Sequence, residues 1–484
     1  MRHGMGIERR CTSRSCRQRH VSPPITVALP CYAAPMTNLQ DQKGRATPIV
    51  SAVLRSGAIV ETLYKPDANQ TAFAVFEDGR AAEQGTLDTP EHGRMVPYSR
   101  DNNLLTHGVV LFPSAVGGYS SQDELLGEIR SFIHRYADLS EGFEEVASYY
   151  VLLTWIYDAF SEVPYLRLKG DYGSGQSRCL QTIGSLCYKP MFASGASTVS
   201  PMFRIIDTFR GVLVMDESDF KFSDEKAEIV KIWNNGNAAG FPVLRSESTP
   251  TKEFNPRAFV VFGPKIIATR GDFQDQALES RCITEVMTGL PPRADIPLSL
   301  PRTFRTEACE LRNKCLAYRF RNLQAERNLE LARDPSIEAR VAQVFGPLLS
   351  IVEDGAAKER ILALARGKSS TLEAERSAST DAQLVGVIRE LREAGIPLGV
   401  KDITDRFAER HSSDYDRPIT ARWVGGQLRR RLSLVPVKTR GLFVIPGSDP
   451  KIESLLERYG PGDVAVDVGT SGMSKGPNPD MMDF

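Results

Sequence analysis

The chain has 484 residues, and its 60 lysines and arginines balance its 60 aspartates and glutamates. This balance excludes a uniformly basic surface, so any nucleic-acid-binding site must be local. No apolar run approaches the ~20 residues that span a membrane. The eight cysteines are scattered through a chain too long to need a disulfide framework. These features predict a cytoplasmic protein with no membrane partner.

The first 118 residues are predicted to form a leader and a small β-rich domain. Residues 1–47 are basic and lack a continuous apolar core, which predicts a flexible leader, with Met36 as an alternative start. Residues 48–118 alternate apolar, β-branched segments with Gly, Asn and Asp turns, which predicts a β-rich N-terminal domain. Its expected strands are 49–54, 58–64, 71–76 and 108–112.

Residues 119–300 are predicted to form a domain of the α/β class. Ser121 followed by two acids is typical of a helix start, and a second helix is expected over 142–160. Strands and helices then alternate, as they do around a parallel sheet. The remaining predicted parts are a helical region (301–376), a C-terminal winged-helix domain (377–458) and a disordered tail (459–484).

A glycine-rich loop follows the predicted strand 165–168 and precedes a predicted helix over 177–186. Strand, loop and helix in this order are the context of a P-loop, because glycines let backbone N–H groups surround a phosphate. Ser177 is expected to bind Mg²⁺ through its hydroxyl. The residues expected to bind ATP are Gly170, Asp171, Tyr172, Gly173, Ser174, Gly175, Gln176, Ser177 and Arg178.

One position of this loop departs from the P-loop pattern. Gln176 stands where P-loops carry a lysine, whose ammonium group reaches the β- and γ-phosphates. A glutamine amide donates hydrogen bonds but carries no charge. The loop alone therefore leaves a second interpretation open, a glycine-rich turn that binds no nucleotide.

The segment 211–217 has the pattern of a buried parallel strand that ends in two acids. Asp216 is expected to hold Mg²⁺, and Glu217 is expected to polarise the attacking water. An apolar run that ends in Asp-Glu is also a common strand-to-loop boundary. Its position after the glycine-rich loop favours the nucleotide site, so residues 119–300 are predicted to be a P-loop NTPase core.

Two further residues complete the predicted catalytic set. Thr269, followed by Arg270, ends the predicted strand 265–268, where a polar side chain would sense the γ-phosphate. Arg281 precedes the predicted strand 282–287 and is a candidate arginine finger acting across a subunit interface. A surface salt bridge is the alternative role for Arg281.

On these residues, the chain over about residues 145–290 resembles the AAA-type P-loop ATPases of phage and mobile-element replication proteins, of the primase–helicase kind. It resembles a set of uncharacterised bacterial ATP-binding proteins more closely. The segments that carry the resemblance are 165–178, 192–198, 203–207, 211–220, 232–245 and 277–283.

The resemblance implies a set of cofactors, partners and site residues. ATP and Mg²⁺ are the implied cofactors, DNA is the implied partner, and a homo-oligomeric ring is the implied assembly. Asn234 or Asn235 is implied to lie near the nucleotide, and Arg245 to face a central channel. The family carries lysine at the position of Gln176. The resemblance therefore does not imply that this chain hydrolyses ATP.

Residues 377–446 are predicted to form three helices (381–394, 400–410 and 418–431) and a hairpin, the pattern of a winged helix. Positive charges on the third helix and the hairpin would attract DNA phosphates. The alternative is a module that packs on the ATPase or binds protein, with these charges as a solvated face. The candidate DNA-binding residues are Arg422, Arg429, Arg430, Lys438 and Arg440.

The sequence thus supports two functions. The first is an ATP-binding P-loop protein that acts as an ATPase on DNA in replication or mobile-element biology, with helicase-like hydrolase activity weakened by Gln176. The second is a catalytically decayed nucleotide-binding protein that binds DNA or serves as a scaffold. A protein-remodelling ATPase is a third class that the motifs also allow.

Overall fold

The computed structural model describes residues 46–216, 224–246, 256–273, 275–327, 334–377, 379–415 and 418–459. The predicted leader up to residue 45, the predicted water-activating Glu217 and the predicted tail from residue 460 lie outside the described residues. The chain divides into two compact units, residues 1–327 and 328–484. The predicted helical region 301–376 spans this division.

The first unit begins with two small β-sheets. Its strands are β1 (Thr47–Ile49), β2 (Ser51–Val53), β3 (Ile59–Lys65), β4 (Gln70–Glu77), β5 (Arg80–Gln84), β6 (Leu87–Thr89) and β7 (Gly93–Pro97). Strands β2 to β5 form an antiparallel sheet in chain order, and β1, β7 and β6 form the other sheet. The predicted strand 108–112 is wrong. Val110 makes only an isolated bridge to Met191, and the segment is apolar because Val110 and Phe112 pack in the core.

An α/β core follows within the same unit. Its helices are α1 (Asn103–Thr106), α2 (Gln122–Tyr136), α3 (Glu141–Trp155), α4 (Gln176–Gly184), α5 (Val199–Phe209), α6 (Asp224–Gly236) and α7 (Gln276–Glu279). Its strands are β8 (Tyr165–Gly170), β9 (Met191–Ser194), β10 (Leu213–Asp216), β11 (Val243–Arg245), β12 (Arg257–Phe259), β13 (Lys265–Thr269) and β14 (Cys282–Met287). Ser121 caps α2 as predicted, because its side chain accepts a hydrogen bond from the Glu124 amide.

Five of these strands form one sheet in the order β14-β8-β13-β10-β9, and each neighbouring pair is parallel. Apolar side chains cover both faces: Leu166 of β8 and Val214 of β10 lie on one face, Met215 of β10 and Ile267 of β13 lie on the other, and all four are buried. The predicted α/β class with a parallel sheet is therefore confirmed. Strands β11 and β12 form a separate antiparallel pair between α6 and β13.

Helix α8 (Phe304–Asn322) carries a buried arginine that joins separate parts of this unit. Arg319 donates from Nε to Glu61 of β3 at 2.7 Å and pairs with both carboxylate oxygens of Asp158 at 2.7 and 2.6 Å. Tyr188, in the loop after α4, donates its hydroxyl proton to the same Glu61 carboxylate at 2.6 Å. One polar network thus joins the small sheet, the turn after α3, α8 and the loop after α4.

The second unit contains six helices within its described residues and one hairpin. They are α9 (Ala339–Leu349), α10 (Gly355–Ser377), α11 (Thr380–Glu393), α12 (Val400–His411), α13 (Ala421–Arg430), β15 (Val437–Thr439), β16 (Leu442–Val444) and α14 (Pro450–Arg458). The three helices α11 to α13 and the hairpin occur in the predicted order, and Leu384, Phe407 and Leu428 share their common core. Across the described parts of the whole chain, no helix is both long and apolar enough to cross a membrane.

We expect Arg319→Met to destabilise the first unit by about 3–5 kcal/mol, because it leaves the buried Glu61 carboxylate without its guanidinium partner. Chemical denaturation at neutral pH would measure the shift of the unfolding midpoint. Arg321→Met is the matched control, since Arg321 is an exposed residue of the same helix. Equal midpoints for the two variants would contradict the structural role of the network.

Lys265 predicts a pH dependence of stability. Burial lowers the pKa of Lys265 to about 7, from an ordinary value of 10.5. Between these two pH values the unfolded chain binds a proton that the folded chain releases, so stability rises with pH. From pH 7 to pH 9 we expect the wild type to gain about 2 kcal/mol relative to Lys265→Met. Denaturation curves of both proteins at the two pH values would test this, and a constant difference would contradict it.

Candidate nucleotide site and candidate DNA-binding helix

The predicted loop residues, Asp216 and Thr269 gather at the edge of the parallel sheet where its strands end. Arg281, which precedes β14, lies at the opposite end of the sheet. Strand β13 lies between β8 and β10, and Thr269 pairs with Lys169 while Ala268 pairs with Asp216. The carboxyl ends of the three strands therefore lie side by side. The glycine-rich loop leaves β8 at this edge, and Asp216 is the last residue of β10.

A hydrogen bond joins the two predicted Mg²⁺ ligands. Ser177 is the second residue of α4, and its Oγ donates to Oδ2 of Asp216 at 2.6 Å. The two residues are 39 positions apart in the chain, so the sheet order brings them together. A hydroxyl and a carboxylate in contact are the oxygen ligands that Mg²⁺ takes in phosphate-binding sites.

The loop has a conformation that requires its glycines. Gly173 and Gly175 have φ values of +79° and +87°, in the left-handed region that side chains disfavour. A Cβ at Gly170 would lie 2.6 Å from Ser174 Oγ and 2.7 Å from Met287 Cβ, so only glycine fits there. Directly after Gly175, α4 begins, and the first N–H groups of a helix have no intrahelical partner. Amides at the start of a helix suit an anion.

The side chain of Gln176 is hydrogen-bonded to the sheet. Its Nε2 donates to the carbonyl oxygens of Leu168 and Thr269, each at 2.8 Å. The amide thus bridges the carboxyl ends of β8 and β13. Both donor hydrogens of the amide are used in these bonds.

Arg178 makes its polar contacts with a later segment of the chain. Its guanidinium donates to the carbonyl oxygens of Pro297 at 2.9 Å and Leu298 at 2.7 Å. These bonds fix the segment that follows β14 against the start of α4. Tyr172, at the tip of the loop, is exposed, and its backbone N–H donates to the Asp171 carboxylate.

Arg167 is a residue of this edge that the sequence analysis missed. It is fully buried in β8, and its Nε donates to Thr269 Oγ1 at 2.8 Å. Its guanidinium also pairs with Glu279 and lies 4.5 Å above the Phe273 ring. The hydrogen bond from Arg167 therefore holds the Thr269 hydroxyl in place. The available signal was a charged residue inside an apolar strand that leads into the glycine-rich loop.

Arg281 lies among the asparagines that end α6. Its Nε donates to Asn237 Oδ1 at 2.7 Å and its Nη1 donates to Asn234 Oδ1 at 3.1 Å. Asn234 in turn donates to the Asp275 carboxylate, which caps α7. The candidate finger is thus part of a polar cluster within its own chain, directly before the edge strand β14.

Arg245 lies on the β11–β12 pair. Its guanidinium is 5.1 Å above the Phe203 ring, and its Nη2 lies 3.3 Å from the Glu228 carboxylate. Arg257, its partner across the strand pair, lies over the Phe259 ring at 4.7 Å. Arg245 and Arg257 are therefore register partners in this antiparallel strand pair. Asn235 is exposed.

The candidate DNA-binding residues are exposed in the second unit. Arg422, Arg429 and Arg430 lie on α13, and Lys438 and Arg440 lie on the hairpin and its turn. A cavity of about 510 Å³ beside α13 is lined by Thr420, Arg422, Trp423, Gly426, Arg429 and Arg430. The Arg430 guanidinium lies close to the helix backbone at Gly426. A Cβ at this position would lie only 3.0 Å from Arg430 Nη2. Positive charge therefore lines one face of α13.

Comparisons with known proteins show only distant structural likeness. No protein-family model matches the chain, and no curated protein matches it. The C-terminal region of NrS-1 is 9% identical, with 80% of this chain and 95% of that chain covered and a TM-score of 0.33. The SCCmec type IV Cch active helicase is 10% identical, with 82% and 78% covered and a TM-score of 0.33. A full-length MCM homolog from Methanopyrus kandleri is 11% identical, with 65% and 78% covered and a TM-score of 0.33. Likeness at this level carries no argument about what the chain does.

Proposed function

We propose that this chain is an ATP- and Mg²⁺-binding P-loop ATPase that acts on DNA. The observation that supports this most directly is the hydrogen bond between Ser177 Oγ and Asp216 Oδ2. It joins the hydroxyl after a glycine-rich loop to the acid at the end of a neighbouring parallel strand. This donor set fits Mg²⁺ held between the protein and a triphosphate.

The predicted residues at this edge then have the following roles. The loop from Gly170 to Arg178 and the N-terminus of α4 bind the phosphates, and Glu217 polarises the attacking water. Thr269, oriented by Arg167, contacts the γ-phosphate. Bound Mg²⁺ would neutralise charge on the phosphate oxygens.

Arg281 is proposed to act in trans, in a homo-oligomeric ring of the AAA type. Its position directly before the edge strand β14 supports this assignment. Its bonds to Asn234 and Asn237 would orient the guanidinium on the rim of its own subunit. The cytoplasm is the proposed location.

A second candidate function, a nucleotide-binding protein whose ATPase has decayed, is favoured by one observation. Both donor hydrogens of the Gln176 amide are committed to the Leu168 and Thr269 carbonyls. In this arrangement Gln176 contributes no donor to the β- and γ-phosphates. Such a protein would bind nucleotide and DNA without efficient turnover.

We expect Ser177→Ala and Asp216→Asn each to weaken ATP binding in Mg²⁺ but not in excess chelator. The double variant should lose little more than either single variant, because both residues serve one ion. Titration calorimetry of the full chain measures the affinities, and hydrolysis is measured in parallel with and without DNA. Wild-type hydrolysis that vanishes in Glu217→Gln and persists in the exposed control Glu393→Gln would support the ATPase. If the wild type binds ATP but only Gln176→Lys hydrolyses it, the chain is a nucleotide-binding protein whose ATPase has decayed.

The exposed charges of α13 and the hairpin support a DNA-binding winged helix in the second unit. We expect Arg429→Ala with Arg430→Ala to weaken duplex DNA binding and to reduce the slope of log affinity against log salt by about 2. Arg406→Ala with Arg410→Ala is the charge-matched control, because both of these arginines of α12 pair with Glu390. Equal effects of the two double variants at several salt concentrations would remove the DNA-binding role of α13.

A further inference from the structure

The phosphate site proposed above lacks the positive charge that a P-loop lysine brings. The β- and γ-phosphates of ATP carry several negative charges, and a water-excluding site must offset them. Gln176 supplies no charge, and its amide is bonded to the sheet. A cation from another position would therefore have to reach the mouth of the loop.

Arg270 occupies such a position. It follows directly after β13, and the register that pairs Thr269 with Lys169 places Arg270 beside Gly170, the first residue of the loop motif. The residue is exposed. Its guanidinium carbon lies 5.8 Å from the centre of the Tyr172 ring, so the side chain reaches over the glycine-rich loop. A guanidinium has a planar fork of donors that suits phosphate oxygens.

Three other cations near the glycine-rich loop make their own polar contacts. The Lys169 ammonium contacts both carboxylate oxygens of Asp272, at 2.6 and 2.7 Å, and these bonds lower the pKa of Asp272. Arg167 is buried beneath the sheet edge with Thr269 and Glu279. The Arg178 guanidinium donates to two carbonyl groups beyond β14.

Gln176 connects the loop to the backbone from which Arg270 extends. The Thr269 carbonyl that accepts from Gln176 Nε2 belongs to the peptide group that links Thr269 to Arg270. The same amide holds the Leu168 carbonyl on the loop's own strand. A lysine at position 176 would deliver charge directly, whereas the glutamine holds two strand ends together.

We propose that Arg270 supplies the missing positive charge to the β- and γ-phosphates of a bound nucleoside triphosphate, and that Gln176 positions it. The proposal rests on the proposed function, since it needs Mg·ATP to bind at this edge. It explains how a P-loop without its lysine can keep a charged phosphate site. Arg270 is the phosphate-binding residue, and Gln176 is a positioning residue.

The test measures the affinities of the full chain for Mg·ATP and for AMP by titration calorimetry. We expect Arg270→Gln to weaken Mg·ATP binding by at least about tenfold and to leave AMP binding unchanged, because AMP lacks the β- and γ-phosphates. Arg80→Gln is the control, an exposed arginine on β5. Thermal unfolding of each variant establishes that it is folded.

Two double variants separate charge from position. Arg270→Gln with Gln176→Lys should regain most of the Mg·ATP affinity, since the charge returns at the lysine position. Gln176→Met should weaken Mg·ATP binding in the wild-type background and have little further effect in Arg270→Gln. Additive losses in that cycle would overturn the positioning role of Gln176.

The remaining outcomes separate this inference from the function on which it rests. Equal Mg·ATP affinities of the wild type and Arg270→Gln would overturn the role of Arg270. The proposed function would remain intact. Equal losses of ATP and AMP affinity in Arg270→Gln would overturn the charge assignment. Wild-type protein that binds no Mg·ATP would remove the proposed function and the inference together.

Discussion

The buried ion pairs of Arg319 hold the first unit together around the α/β core. One guanidinium on α8 contacts a carboxylate from the small antiparallel sheet and another from the turn that follows α3, and Tyr188 joins the same network. A buried charge is tolerated only where its partners stay in place, so each of these segments restrains the others. The loop after α4 belongs to this network. The helix that begins at the glycine-rich loop is thereby anchored at its far end by the β-rich part of the chain.

The sheet edge that this framework supports has two kinds of polar contact. The Ser177–Asp216 bond links residues on α4 and β10 that suit a divalent cation. The hydrogen bonds of Gln176 and Arg167 link β8 to β13. Gln176 donates to the Thr269 carbonyl and Arg167 donates to the Thr269 hydroxyl. A P-loop lysine normally serves the phosphate alone. In this chain Gln176, at the position expected for that lysine, bonds two strand ends, so the proposed phosphate site needs positive charge from another residue.

Much of the fold could be predicted because local rules and tertiary packing agree. The helix after Ser121 has a capping residue and an apolar face, and β14 has the length and bounds that its pattern predicts. The segment around Val110 shows where such agreement fails. Its apolar residues are buried in the core with one isolated bridge, from Val110 to Met191, and burial alone produces the same pattern as a strand. Gly173 and Gly175 indicated a loop in the sequence. Their positive φ angles explain why glycine occupies these positions.

The sequence by itself determined that a glycine-rich loop, an acidic strand end and a charged third helix exist, because each is a local pattern of residue types. It also showed that a glutamine replaces the lysine. Only the tertiary structure decided that Ser177 meets Asp216, that Gln176 bonds the ends of two strands, and that Arg270 lies over Tyr172. These contacts depend on the strand order β14-β8-β13-β10-β9, which places segments far apart in the chain side by side. Strand order is set by the packing of the whole core, so no short stretch of residues encodes it.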